Sequence, residues 1–164
     1  MSELPEYVIN REFDAPVALV WKAWTNPELL ARWYGPGVDT VIHEFDLKPG
    51  GVWRNEMRMS KGSDFSRMDF TEVVSEEKIV YHHASVNESW EDAPNPMMPT
   101  WPQKFLTTIT FTANGDKTAV RLSQVPMDAS QEEIDTFKQM MAGMDHGWGA
   151  GFDLIAEIMT ELQA

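Results

Sequence analysis

The pattern of apolar and polar side chains changes period twice along the chain. From Tyr7 to Phe13 it alternates, with Ile9, Arg11 and Phe13 set against Val8 and Asn10, and predicts a strand. Asp14-Ala15-Pro16 breaks it, and Pro16 suits the first position of a helix with Asp14 as its cap. Val17, Val20, Trp21 and Trp24 then recur at helical spacing, so a short amphipathic helix runs to about Thr25. Asn26-Pro27 stops it and starts another, with Leu29, Leu30 and Trp33 as its stripe, and Tyr34-Gly35-Pro36-Gly37 ends that in turn. Beyond this point the period is two. Segments 38–47, 52–59, 65–74, 78–85, 105–112 and 117–124 read as strands. Their turns are Lys48-Pro49-Gly50-Gly51, Lys61-Gly62-Ser63-Asp64, Ser75-Glu76-Glu77 and the hairpin signal Asn114-Gly115. Connections this short imply an antiparallel meander, since a parallel crossover needs about a dozen residues or more.

The helical period returns at Ser130-Gln131-Glu132-Glu133, a capping box. Ile134, Phe137, Met140 and Met141 follow, and Met144, Trp148, Phe152 (or Gly151), Ile155, Met159 and Leu162 carry the stripe onward. It passes through Gly143, Gly147, Gly149 and Gly151, each costing up to ~1 kcal/mol against alanine in a helix interior. A helix that persists there presses its glycine face close to a sheet, a loop or a ligand.

These elements predict one α+β domain over 1–164, a seven-stranded antiparallel sheet curved around the last helix. A helix does not fill a strongly curved sheet, so a cavity is expected, closed at one end by the short helices. Strand parity puts Trp53, Asn55, Met57 and Met59 on one face of the third strand. It also pairs Phe105, Thr107, Ile109 and Phe111 with Thr118, Val120, Leu122 and Gln124. In 78–85 it leaves both Ile79-Tyr81-His83 and Val80-His82-Ala84 open. The long connection 87–103 holds Pro94, Pro96, Pro99, Pro102, Trp90, Trp101 and Met97-Met98, and reads as a lid over the cavity mouth or a dimer contact.

Charge narrows the partners. The chain has 164 residues, 13 Lys and Arg against 26 Asp and Glu, and a formal net charge of -13. Such a surface repels phosphate backbones and anionic membranes. Basic residues Lys48, Arg54, Arg58, Lys61 and Arg67 crowd one stretch of sheet, while the final helix is acidic; the two suit each other or a mixed-charge protein partner. No apolar run approaches the roughly 18 residues that cross a bilayer, and Met1 to Glu6 lacks the features of a signal peptide. Cysteine is absent, which excludes disulfides and thiolate chemistry; a cytoplasmic protein is expected, as monomer or homodimer.

Seven Trp and eleven Met suit an adaptable apolar pocket as well as a core. Catalytic signatures are sparse. His82 and His83 point to opposite strand faces and cannot share an ion, and His43 and His146 complete no ligand set, so neither metal nor cofactor is expected. No nucleophile elbow or phosphate loop occurs. Arg11 with Asp69 or Arg67, His83 and Asn55 forms a set of polar groups that acid–base chemistry in the cavity would need; the same set also serves as a structural ion pair.

Four ordered segments carry a resemblance: Phe13-Asp14-Ala15-Pro16 through Tyr34-Gly35-Pro36; Asp46-Leu47-Lys48-Pro49-Gly50-Gly51-Val52-Trp53-Arg54; Glu72-Val73-Val74 with Ile79-Val80-Tyr81; and Gly143-Met144 with Gly147-Trp148. Together they resemble the activator-of-heat-shock-protein-ATPase homologues, within the START-like, birch-pollen-allergen-like superfamily. The resemblance implies a helix-grip fold around a hydrophobic cavity. It also implies a range of activities, since the superfamily holds lipid and steroid binders, cyclases and hydroxylase subunits. Eukaryotic members stimulate the chaperone's ATPase with this domain beside a separate N-terminal one. The leading expectation is therefore binding of a small, mostly hydrophobic molecule by Trp53, Met57, Phe111, Met144, Trp148 and Phe152, with Arg11 and Asn55 as polar groups and Trp101, Met97 and Met98 as lid. A chaperone-assisting interaction module is the second reading, and a cyclase-like enzyme the third.

Overall fold

In the computed structural model, which describes residues 4–164, the chain runs β1 (Tyr7–Phe13), α1 (Val17–Thr25), α2 (Pro27–Trp33), β2 (Asp39–Phe45), β3 (Val52–Met59), β4 (Gly62–Val74), β5 (Lys78–Val86), β6 (Lys104–Asn114), β7 (Lys117–Pro126) and α3 (Gln131–Leu162). Of the N-terminal segment read above, residues 1–3 lie outside the described residues. The seven strands form one antiparallel sheet in the order β1-β7-β6-β5-β4-β3-β2. β2 through β7 are the predicted meander, and β1 returns to pair with β7, Ile9 against Leu122. The sheet does not close, and with α3 along its concave face it makes a helix-grip fold. No described helix is long and apolar enough to cross a membrane.

Local chemistry accounts for the boundaries. Asn26 caps α2, its side chain accepting from the amides of Glu28 and Leu29, and Pro27 takes the first position, where no amide is needed. For α1 the cap differs from expectation. Pro16 itself is the cap residue and no side chain bonds the helix end, so Asp14 plays no such part. At Gly51 the backbone of Asp46 comes so near that any Cβ would collide with the Asp46 oxygen, which makes glycine obligatory in the β2–β3 turn. Ser130 and Glu133 close the capping box of α3 in both directions. The helix then runs unbroken through all four glycines.

The core gathers where α1, α2 and the second half of α3 meet the sheet. Phe13, Trp33, Phe152, Ile155 and Met159 are fully buried there, beside Tyr81, Ile109, Leu122 and Met68 from the strands. Trp33 anchors it: its Nε1 donates to the Ala23 oxygen at 2.8 Å, and its ring packs edge-on against Trp24 at 4.4 Å. The first half of α3 is different. After Phe137, no residue from Lys138 to Ala150 is fully buried. That half stands partly off the sheet, bridged to it where Tyr7 donates to Asp145 and Trp148 donates to Gln124.

Four of the five crowded basic residues are paired close to home rather than by α3. Lys48 meets Asp46, Arg54 meets Glu44, Arg58 meets Glu56, and Arg67 meets Asp69 and Asp92. Two acids of α3 are met by bases elsewhere, Asp153 by Arg11 and Glu161 by Arg32.

Candidate ligand cavity

Where α3 stands off, a cavity of about 480 Å³ opens between helix and sheet. Its floor is the concave face of the strands, and parity decides which residues reach it. On β4, Met68 and Phe70 are buried inward; two and four residues back from Met68, Ser66 and Asp64 take the same face. Met57 of β3 lies opposite Asp64, His83 of β5 opposite Met68, and Phe105 of β6 opposite His83. Gln124 of β7 completes the floor. The helix wall is Met140, Gly143, Met144, Gly147, Trp148 and Gly151. One end is closed by the α2–β2 turn, Trp33 to Pro36, and the other by Asn95, Met98 and Trp101 of the long loop.

The glycines of α3 do two different jobs. A Cβ on Gly151 would lie 3.3 Å from both the ring and the carbonyl oxygen of Trp33, so this glycine lets α3 touch α2. At Gly147 no atom stands within 4 Å of where a Cβ would be, and at Gly143 only the Met140 terminal methyl does. Those two leave space beside the cavity.

The walls are aromatic and thioether, and the rings hold one another. The Trp148 indole lies 5.9 Å from Tyr34 and 6.3 Å from both Trp24 and Trp33. Trp101 stacks on Phe137 at 5.5 Å, which ties the loop to α3. His83 stacks on Phe105 at 4.3 Å, nearly parallel.

Polar groups form a line across this apolar floor. Gln124 is buried, donates from Nε2 to Thr107 Oγ1 at 3.2 Å, and accepts from Trp148 Nε1 at 3.2 Å. Its amide is thereby fixed, and with it the Trp148 ring. Burial holds the His83 imidazole down at about 4, so it is neutral at physiological pH, and its Nδ1 has no partner among the described residues. Burial alone raises the Asp64 carboxyl above its ordinary value, with neither hydrogen bond nor cation offsetting the loss of water. No group of three His, Asp or Glu side chains placed to hold a metal occurs among the described residues.

Against the expectations from sequence, the structure brings Met57, Met144, Trp148 and Trp101 together around one cavity, with Met98 beside them. Trp53 and Phe111 from the sheet and Phe152 from α3 are packed into the core instead. Asn55 is buried and accepts from Trp53 Nε1 at 3.3 Å, leaving its Nδ2 unpartnered, and it too lies outside the cavity lining. Arg11 is held on Asp153 of α3 at 2.8 Å, its guanidinium over the Phe152 ring. Arg67 and Asp69 are corrected outright: both lie on the opposite face of the sheet, where Arg67 binds Asp69, Asp92 and the Trp90 carbonyl. The polar set expected for acid–base chemistry is thus dispersed. Met97 is exposed, and Trp90 sits on the convex side between His43 and Phe65, so only part of the 87–103 loop faces the cavity.

A family model described as "Activator of Hsp90 ATPase homolog 1-like protein" matches residues 14–160, nearly the whole helix-grip fold. The chain belongs to this family. Solved structures of similar fold include a Mycobacterium smegmatis protein at 20% identity and TM-score 0.78, the match covering 96% of each chain. A Nitrosomonas europaea protein is 23% identical with TM-score 0.74, covering 99% of this chain and 98% of its own. One from Staphylococcus epidermidis is 17% identical with TM-score 0.78, covering 98% and 93%. At these identities the likeness is one of fold. No curated protein matches the sequence.

For a member of this family, the cavity residues missed by sequence reading are instructive. Tyr34, Asp64, Ser66, Phe105, Gln124 and Met140 were not among the expected binding residues. Lys61-Gly62-Ser63-Asp64 carries turn chemistry, which hides Asp64 from a reading by strand parity. The hairpin actually turns on Ser60 and Lys61, and β4 begins at Gly62. Counting by twos back from Met68 would have found both Ser66 and Asp64.

Proposed function

We propose that this domain binds a small, mostly apolar molecule in the cavity between α3 and the sheet. The observation that carries the reading is the stand-off of α3. A 32-residue helix leaves its stripe only half-buried for about three turns while Met140, Met144 and Trp148 line about 480 Å³ of space. That volume is in the range of small-molecule sites, which are concave, mostly apolar and largely preformed. Burying apolar area supplies the affinity, at roughly 25 cal/mol per Å² before the costs of association. Met57, Met98, Met140 and Met144 let the walls adapt to the guest's shape. Gln124 and Trp148, locked to each other, give it a fixed surface to lie on.

The test fills the space from both walls. An uncharged solvatochromic dye is titrated against the wild type, Gly147→Leu and Ser66→Leu. The wild type is expected to bind with blue-shifted emission, and each variant to lose affinity by about tenfold or more, the scale of one lost side-chain contact. Unchanged affinity in both variants would remove the cavity from the binding site.

A further inference from the structure

We propose, resting on the cavity reading above, that the guest is an organic cation: a protonated or quaternary amine carried on an apolar body. Of all the residues lining the cavity, Asp64 alone bears a carboxyl group, and neither Lys nor Arg is among them. His83 cannot compensate it, because the imidazole is held neutral. Most other acids of the sheet are paired, Glu44 with Arg54, Glu56 with Arg58 and His43, and Asp69 with Arg67, while Asp39, unpaired among the described residues, is exposed at the sheet edge. Asp64 has no ion-pair or hydrogen-bond partner among the described residues and is partly desolvated beside Met57 and the Tyr34 ring. A carboxylate set into an apolar wall without a partner favours a guest that brings the opposite charge, because pairing recovers what desolvation costs.

The walls around it fit the same guest. Trp33, Tyr34, Trp101, Phe105 and Trp148 line the cavity with π-systems, and a cation within about 6 Å of such a face is attracted to it, most strongly where water is excluded. A fatty acid or other organic anion meets the reverse: the Asp64 charge, electron-rich rings and no cation. The whole molecule points the same way. A net charge of -13 draws cations toward the cleft and repels anions.

The experiment compares three benzyl alcohols of matched shape: the 4-trimethylammonio compound, its uncharged 4-tert-butyl isostere and the 4-carboxylate. Each is titrated by tryptophan fluorescence, with excitation where the ligands do not absorb, into wild type, Asp64→Asn, Gly147→Leu and Ser66→Leu. The ammonium compound is expected to bind wild type at least about tenfold tighter than the tert-butyl compound, with the carboxylate weakest. Asp64→Asn is expected to erase that preference, and added salt to weaken the ammonium compound alone. Equal or tighter binding of the tert-butyl compound, or an ammonium preference that survives in Asp64→Asn, overturns the assignment. Tert-butyl binding that falls in Gly147→Leu and Ser66→Leu, without an ammonium preference, overturns the cation and keeps the cavity. Loss of neither ligand in those two variants overturns both.

Discussion

Among the cavity residues, the fold shifts the protonation of His83 and Asp64 in opposite senses. The unfolded imidazole takes a proton near its ordinary 6.5, whereas the buried one resists until about 4. Between those values the unfolded chain holds more protons than the folded one, so stability rises with pH. The contribution of His83 is complete above 6.5 and is lost as pH falls toward 4, with a slope of at most about 1.4 kcal/mol per pH unit. The stability difference between wild type and His83→Gln, followed by urea denaturation, is expected to shrink on acidification across that window; a constant difference would contradict a neutral buried ring. Asp64 has its value raised, so the folded chain takes the proton more readily. Its charge destabilises the fold above the folded value, and the burden lifts as pH falls. Asp64→Asn is therefore expected to melt higher than wild type at neutral pH. Neither effect was legible in the sequence. Parity of 78–85 left His83 on either face, and only the register of Met68 against His83 decides it.

Among the elements, α3 was the most legible. Ser130 and Glu133 announce its start, and a stripe that keeps helical spacing through four glycines announces its persistence. What the stripe could not tell is where the helix touches and where it does not, since a glycine marks a close approach and an empty space alike. The structure separates them, and so do two substitutions. Gly147→Ala gains helix propensity without a clash and is expected to add up to ~1 kcal/mol, a rise of about 2–4 °C in Tm. Gly151→Ala pushes a methyl to 3.3 Å from the buried Trp33 ring and carbonyl, and is expected to cancel or reverse that gain; equal Tm values would dispute the packing of α3 on α2. The cap has a second duty that the sequence did not show. Glu133 accepts from the Ser130 amide at 2.9 Å and, with its other oxygen, from the Gln103 amide at 3.0 Å. Glu133→Ala is expected to cost about 1 kcal/mol and to accelerate amide exchange at Gln103, a site far away in sequence.

At the scale of the whole molecule, period and turn chemistry were enough for the fold because each level agreed with the next: two-residue alternation, short turns, and a long amphipathic helix that only a curved sheet can accommodate. The cavity followed from shape. Its lining did not, because core and cavity residues share one face of the sheet; Trp53 and Met57 stand four residues apart with the same parity and different fates. Charge also acts at this scale. With local ion pairs meeting most of the bases, the net -13 is spread over the remaining acids. Their mutual repulsion is screened by salt, so Tm is expected to rise between about 10 and about 150 mM sodium chloride, as the Debye length contracts to near 8 Å.

Because the sheet does not close, β2 is left as its terminal strand, with a row of amides and carbonyls facing outward. A flat strand there would be a template for pairing chain to chain into fibrils. β2 is not flat: between Ile42 and Glu44 the register slips, so that Ile42 faces Asn55 and Glu44 faces Arg54 with His43 as the extra residue, and Asp39 and Glu44 add exposed charge on either side. The bulge that looks like an imperfection in the ladder is thus a guard against polymerisation, and deleting His43 would straighten the edge it protects.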